Sequence, residues 1–286
     1  MVNNKDKTIV ALIYDFDKTL CDKDMQEYSF IPSLGLSPEE FWKETDVLSK
    51  KNHMDKILAC MYMMINMSNK KEKSIKREDF VKLGKDINFY PGVIDWFTSI
   101  NEYAKSIGIT VEHYIISSGL KEIIEGTEIA KYFKEIYACE FLYNHNGIAV
   151  WPAMSVNYTT KTQFLSRINK GVLDISDDTT LNRMMLEDER RISTKNMIYV
   201  GDGITDIPSM RMVRENGGYT IAVYQKDKEE NAQNLLAEDR ASYAMLANYS
   251  KDSDMDKLVK KILLEMKINT ELRDIHKEQI KTFTIK

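Results

Sequence analysis

The chain has 286 residues, with 40 basic against 44 acidic side chains and a formal net charge of −4. That balance, with a pI near 5.7, excludes a nucleic-acid partner held by charge, because phosphate binding needs a basic excess. Apolar residues make up 43% of the chain against only 12 Gly and 5 Pro, so it is neither disordered nor fibrous, and a chain of this mass buries about 74% of its unfolded surface.

The first apolar run, Thr8–Tyr14, leads straight into Asp15 with no small-residue cleavage pattern, so it does not read as a signal peptide. No run reaches the roughly 18 apolar residues of a membrane helix. The three cysteines, Cys21, Cys60 and Cys139, form neither a disulfide framework nor a CxxC pair, and His53, His113, His145 and His276 show no metal spacing. A soluble, reduced, cytoplasmic protein of roughly two domains is expected, with no membrane or nucleic-acid partner; nothing in the sequence sets an oligomeric state.

Thr8–Tyr14 is continuous and β-branched, the pattern of a strand buried on both faces. Residues 22–88 have a different texture. Ser37-Pro38-Glu39-Glu40 is an N-cap, a first-turn proline and a capping-box glutamate. Met54, Ile57, Leu58, Met61, Tyr62 and Ile65 follow helical spacing. A charged run, Asn69–Asp79, precedes Phe80, Val81 and Leu83. The segment reads as a strand-free inserted helical bundle, with the run Asn69–Arg77 as a solvated loop rather than a docking patch.

Pro91-Gly92 marks the return to the main body, and an amphipathic helix from Val93 to Ile107 stops at Gly108. Ile109–Ile116 reads as a strand; a helix and a strand within Glu135–Phe141 follow. Asn144-His145-Asn146-Gly147 between two apolar runs predicts a β-hairpin reaching Trp151. Met197–Val200 and Tyr219–Tyr224 are further strands, and polar Asp174–Lys195 is a surface insertion. The alternation gives an α/β fold, a doubly wound parallel sheet with a small inserted helical domain. Its core takes residues 1–21 and 89–286, and the helical domain takes 22–88.

Three strand ends carry chemistry. Asp15-Phe16-Asp17-Lys18-Thr19 places two carboxylates where the first strand exits, against a plain charged turn. A calcium loop fails, since Leu20 stands at its sixth position and Gln26 at its twelfth. Ser117-Ser118-Gly119 offers a hydroxyl and backbone N–H groups for an anion, or simply a helix N-cap serine. Gly201-Asp202-Gly203-Ile204-Thr205-Asp206 sets two acids four apart, on one face if the chain makes a helical turn, against a tight glycine turn alone. Lys161 lies near a helix start; taken alone, a lysine is a solvated surface residue.

Together these motifs lie at carboxyl ends of strands, where open α/β sheets bind ligands. A carboxylate facing a phosphate dianion at 4 Å is repelled by about 8 kcal/mol at an effective dielectric near 20, so such a site lacks a divalent cation and a lysine. Lys161 supplies the second, and its ammonium is expected within bonding reach of Asp15 and Asp202.

In this order, DFDKT, SSG, a lysine and GDGITD resemble the four motifs of the haloacid dehalogenase-like (HAD) phosphatase superfamily, over roughly residues 8–21 and 89–225. The helical insertion after the first motif resembles a C1-type cap, and with the hairpin it is similar to the phosphoserine phosphatase branch. The resemblance implies Mg²⁺-dependent hydrolysis of a small phosphorylated metabolite. Asp15 would be the nucleophile that forms an aspartyl-phosphate. Asp17 would be acid and then base, and its carbonyl, with Asp15 and Asp202, would bind Mg²⁺. Ser117, Ser118, Gly119 and Lys161 would hold the phosphoryl group, with Asp206 and Thr19 in support. An acid two residues after the nucleophile favours ester hydrolysis over dehalogenation.

The cap departs from that branch. Asp24 stands where a glutamate would contact the substrate amine, and it reads equally as a helix-start acid. The helix Ala59-Cys60-Met61-Tyr62-Met63-Met64 holds no arginine for a substrate carboxylate, and its methionines are expected to fill the helical core. His53 is expected to be solvated rather than turned to the cleft. A phosphotransferase or phosphomutase using the same aspartyl-phosphate, or a non-catalytic sensor of a phosphorylated metabolite, are the rival functions.

Overall fold

The computed structural model of the chain describes residues 8–71 and 75–284. The strands are β1 (Ile9–Tyr14), β2 (Thr110–Leu120), β3 (Phe133–Tyr143), β4 (Ala149–Met154), β5 (Met197–Gly201), β6 (Tyr219–Tyr224) and β7 (Tyr243–Leu246). They form one sheet in the order β4-β3-β2-β1-β5-β6-β7, parallel throughout except for the antiparallel β3–β4 pair.

Between β1 and β2 run α1 (Phe30–Ser33), α2 (Pro38–Asn52), α3 (Lys56–Lys70), α4 (Arg77–Leu83) and α5 (Val93–Ser106). The rest are α6 (Lys121–Glu125), α7 (Lys161–Lys170), α8 (Asp178–Asn182), α9 (Ile207–Glu215), α10 (Glu230–Ala237) and α11 (Asp254–Thr284). Among the described residues no helix is long and apolar enough to cross a membrane.

β1 lies between β2 and β5. Chain order therefore reverses at its flank, and at such a switch point the strand ends splay to open a crevice. β1 is apolar because it is covered on both faces: Val10 through Tyr14 have no accessible surface. Tyr14 anchors the neighbouring layer through edge contacts with Phe97 and Phe133.

The helical insertion begins as its sequence dictates. Ser37 and Glu40 close a reciprocal capping box with Pro38 in the first turn, and Asp55 caps α3 by accepting from the N–H groups of Ile57 and Leu58. The segment is not free of β contacts, however. Lys76 forms an isolated antiparallel bridge with Ile148 of the hairpin, Phe80 stacks on Phe141 at 5.7 Å, and the other oxygen of Asp55 accepts from Asn157 Nδ2 at 3.0 Å. Of the charged run Asn69–Arg77, residues 72–74 lie outside the described residues.

The hairpin forms with Tyr143 opposite Ala149 and Leu142 opposite Trp151. Asp174–Lys195 lies on the surface, pinned by buried Arg167, which donates to the carbonyls of Asp174 and Ile175 and to the Asp178 carboxylate. Two differences from the sequence reading stand out. β2 continues through Ser117-Ser118-Gly119 to Leu120, so that motif ends a strand, not a helix cap; α6 has five residues and Leu120 before it gives no side-chain cap. β7 and α11 are additional elements, and the first half of α11 packs Met255, Val259, Ile262, Leu263 and Met266 into the core.

Candidate active site

Asp15 follows β1 directly, and its N–H donates to Val200 O of β5, fixing the turn out of the sheet. The chain then reverses over Phe16–Leu20, with Leu20 N–H bonded to Phe16 O at 2.9 Å. Lys18 takes the left-handed conformation at φ 57°. Asp15 Oδ1 accepts from Phe16 N–H at 2.7 Å, and Oδ2 accepts from Lys161 Nζ at 2.7 Å.

Lys161 is the first residue of α7 and has no accessible surface, so the solvated reading fails. Its ammonium also lies 2.7 Å from Asp206 Oδ1. Its carboxylate partners are thus Asp15 and Asp206; Asp202 instead accepts a long hydrogen bond from Thr19 Oγ1 at 3.4 Å. Burial weakens the Lys161 ammonium's hold on its proton, but Asp15 and Asp206 outweigh it and hold the ammonium more firmly charged than usual.

Asp202 and Asp206 reach the same place because a single 3₁₀ turn, Ile204–Asp206, separates them. Gly201 is required: a Cβ there would stand 2.4 Å from Asp206 Oδ2. One oxygen each from Asp15, Asp202 and Asp206 lies within 4.8 Å of the others. Three carboxylates against one ammonium leave a formal charge of −2. The cost is visible in the acids: Asp15 is pushed up to about 6, chiefly by burial, with Asp206 adding and Lys161 opposing. Asp202 is pushed well above the usual carboxylate range by burial, then by Asp206 and Asp15. A compact set of oxygen donors with uncompensated charge fits a hard divalent cation such as Mg²⁺.

Asp17 stands on the other side. Its Oδ1 accepts from Met25 N–H at 2.8 Å. Burial first, then Asp24 and Asp15, push its proton affinity well above normal. Opposite it, Ser117 is buried and its Oγ accepts from Gly119 N–H at 3.0 Å. A Cβ at Gly119 would meet Met25 Cε at 2.1 Å and Asp17 Oδ2 at 3.0 Å, so these side chains fill the space that a side chain there would take. Ser118 and Asp17 border a cavity of about 100 Å³ that Cys60, Met61 and Met64 of α3 close from above.

Met61 and Met64 are therefore walls of this chamber as well as buried residues of the helical layer. Asp24 borders the chamber, but its carboxylate is ion-paired to Lys18 at 2.6 Å and makes no cap bond at the helix it precedes. His53 is the left-handed C-cap of α2 and is exposed, away from the chamber. The sequence reading missed Tyr199, whose hydroxyl donates to Asp206 Oδ1 at 2.6 Å; a tyrosine in an apolar strand reads as core.

Residues 9–263 match the family model described as Putative Phosphatase. The chain belongs to that family. An uncharacterized protein of Borreliella burgdorferi is 29% identical over 279 residues, 88% of this chain and 95% of its own length. A HAD family hydrolase of Salmonella enterica superposes with a TM-score of 0.55 at 16% identity, covering 87% of this chain and 73% of the other. A substrate-bound phosphoserine phosphatase gives 0.56 at 14%, covering 90% and 99%. This member of the Putative Phosphatase family has the HAD-like α/β fold and is a phosphatase, acting on phosphoester bonds.

Proposed function

We propose that the protein hydrolyses a small phosphomonoester through an aspartyl-phosphate on Asp15, with Mg²⁺ as cofactor and residues 22–88 as a C1-type cap. The observation that carries this reading is the buried contact of Lys161 with both Asp15 and Asp206, with a second acid, Asp17, two residues after Asp15. The fold's likeness to phosphoserine phosphatase supports it.

Asp15 carboxylate attacks phosphorus as the bond from phosphorus to the leaving oxygen breaks. Asp17, whose surroundings favour the protonated acid, gives its proton to that oxygen. Asp17 carboxylate then takes a proton from water, whose oxygen attacks the same phosphorus and releases Asp15 and phosphate. Lys161 and Ser117 hold the phosphoryl oxygens. Asp15 and Asp202, with the Asp17 carbonyl, would hold Mg²⁺, which offsets charge on the phosphoryl group when bound.

The chamber beside Asp17 would receive the leaving group. At about 100 Å³, against the roughly 10–15 Å³ that one water needs, it has room for a small organic leaving group. The cation bordering it is Lys56, ion-paired with Asp46 at 2.8 Å, and no arginine is among its lining residues to bind a substrate carboxylate bidentately. Cap closure over it would exclude bulk water. The test is turnover of p-nitrophenyl phosphate with Mg²⁺ and with EDTA. Turnover that EDTA stops and Asp15→Asn abolishes is expected; activity retained in Asp15→Asn at excess Mg²⁺ would overturn the reading.

A further inference from the structure

We propose that Tyr199 is a positioning residue of this site: its hydroxyl commits the Asp206 carboxylate to Lys161 in competition with a bound cation. The inference rests on the phosphatase reading above and adds a residue to it.

Tyr199 lies in β5, between β1 and β6, and has no accessible surface. Its hydroxyl donates to Asp206 Oδ1 at 2.6 Å, the oxygen that also accepts from Lys161 Nζ at 2.7 Å. The other oxygen, Oδ2, receives a weaker 3.3 Å bond from Gly203 N–H. Side chains two apart on a strand share a face, so Tyr199 and Gly201 work as a pair. Position 201 clears the space that Asp206 occupies, and position 199 supplies a donor to it.

Packing alone does not account for a phenol here, since phenylalanine would fill the same apolar strand. The hydroxyl matters because Asp206 has a choice. One of its oxygens lies within 4.8 Å of one each from Asp15 and Asp202, so the carboxylate can serve either the ammonium or a divalent cation. Two strong donors on one oxygen settle that choice for the lysine and thereby hold Lys161 against Asp15. Removing one of them frees the carboxylate to rotate toward the cation, which loosens Lys161.

The test is Tyr199→Phe, which keeps the ring. On p-nitrophenyl phosphate kcat is expected to fall about tenfold, the worth of one charge-assisted hydrogen bond, with KM nearly constant. Isothermal titration calorimetry of the substrate-free protein with Mg²⁺ is expected to show tighter binding, by about threefold. In an Asp206→Asn background, adding Tyr199→Phe should change kcat no further, because Tyr199 acts through Asp206. If kcat and Mg²⁺ affinity both stay near wild type, or if the two substitutions add fully, the proposal is wrong. Wild-type protein without turnover would count against the phosphatase reading alone, since the calorimetry reads Tyr199 without turnover.

Discussion

Lys161 Nζ lies 2.7 Å from Asp15 Oδ2, and the lysine side chain is wholly buried. This ion pair spans 146 residues of sequence, joining the end of β1 to the start of α7. A buried pair adds little net stability, but removing one partner leaves the other as an uncompensated charge. Lys161→Met strands Asp15 and Asp206 together. It is expected to abolish turnover and to destabilise the fold by about 3–5 kcal/mol, measurable by urea denaturation. Lys161→Arg should not restore activity, because the planar guanidinium does not fit a cavity shaped for a compact ammonium.

Asp17 tests the chemistry at the leaving oxygen. An alkoxide needs a proton to depart, whereas a nitrophenolate does not. Asp17→Asn is therefore expected to cut release of the leaving alcohol from an alkyl phosphate by about 100-fold or more while costing release of nitrophenolate far less; hydrolysis of the shared aspartyl-phosphate, which uses Asp17 as base, slows equally for both. Single-turnover release of the leaving group from the two substrates checks this, and equal losses in that step would remove Asp17 from the acid role.

Most of the framework was legible because its signals are physical and local. An apolar β-branched run that stops at an acid predicts β1, and the capping box of Ser37 predicts the start of α2. The candidate site was legible through the order of three strand-end motifs and a lysine, although Lys161 alone carries no signal: its burial depends on Asp15 and Asp206, far away in sequence. The end of β2 was misplaced because Ser-Ser-Gly resembles a helix cap, whereas here its glycine yields to Met25 and Asp17 in space. β7 escaped notice because Tyr243–Leu246 is four residues at a sheet edge with only partial burial. Tyr199 could not be told from core until Asp206 stood beside it.

Gly119 offers a steric test of the same region. Its missing side chain leaves room for the Met25 thioether and Asp17 Oδ2. In Gly119→Ala the methionine tip must move aside, which an unbranched thioether can do at the cost of the 3.0 Å bond its sulfur accepts from Leu120 N–H. The Asp17 carboxylate, held at Oδ1 by the Met25 backbone N–H, is crowded directly at Oδ2 by the new methyl group and turns from its position. Stability is expected to fall by about 1–3 kcal/mol, with kcat falling more for alkyl than for aryl phosphates. Thermal melts and the two-substrate comparison separate packing loss from displacement of the acid.

A last prediction concerns pH and stability, away from the site. His113 of β2 is buried, with Nδ1 3.1 Å from the Tyr14 hydroxyl and Nε2 3.2 Å from Asn101 Oδ1. Trp96 Nε1 donates to the same tyrosine oxygen, so Tyr14 donates onward to Nδ1, and neutral Nε2–H donates to Asn101. Burial lowers the imidazole's proton affinity to about 3, against an unfolded value near 6.5. The unfolded chain thus binds a proton that the folded chain refuses, and stability falls as pH drops below about 6.5 and continues to fall toward 3. His113→Gln removes the titration and keeps a polar group in the chain of hydrogen bonds. Between pH 7 and pH 5 the wild type should lose about 2 kcal/mol more than this variant, measured by urea unfolding at each pH. Parallel pH profiles would mean that His113 stays protonated, or exposed, in the folded protein.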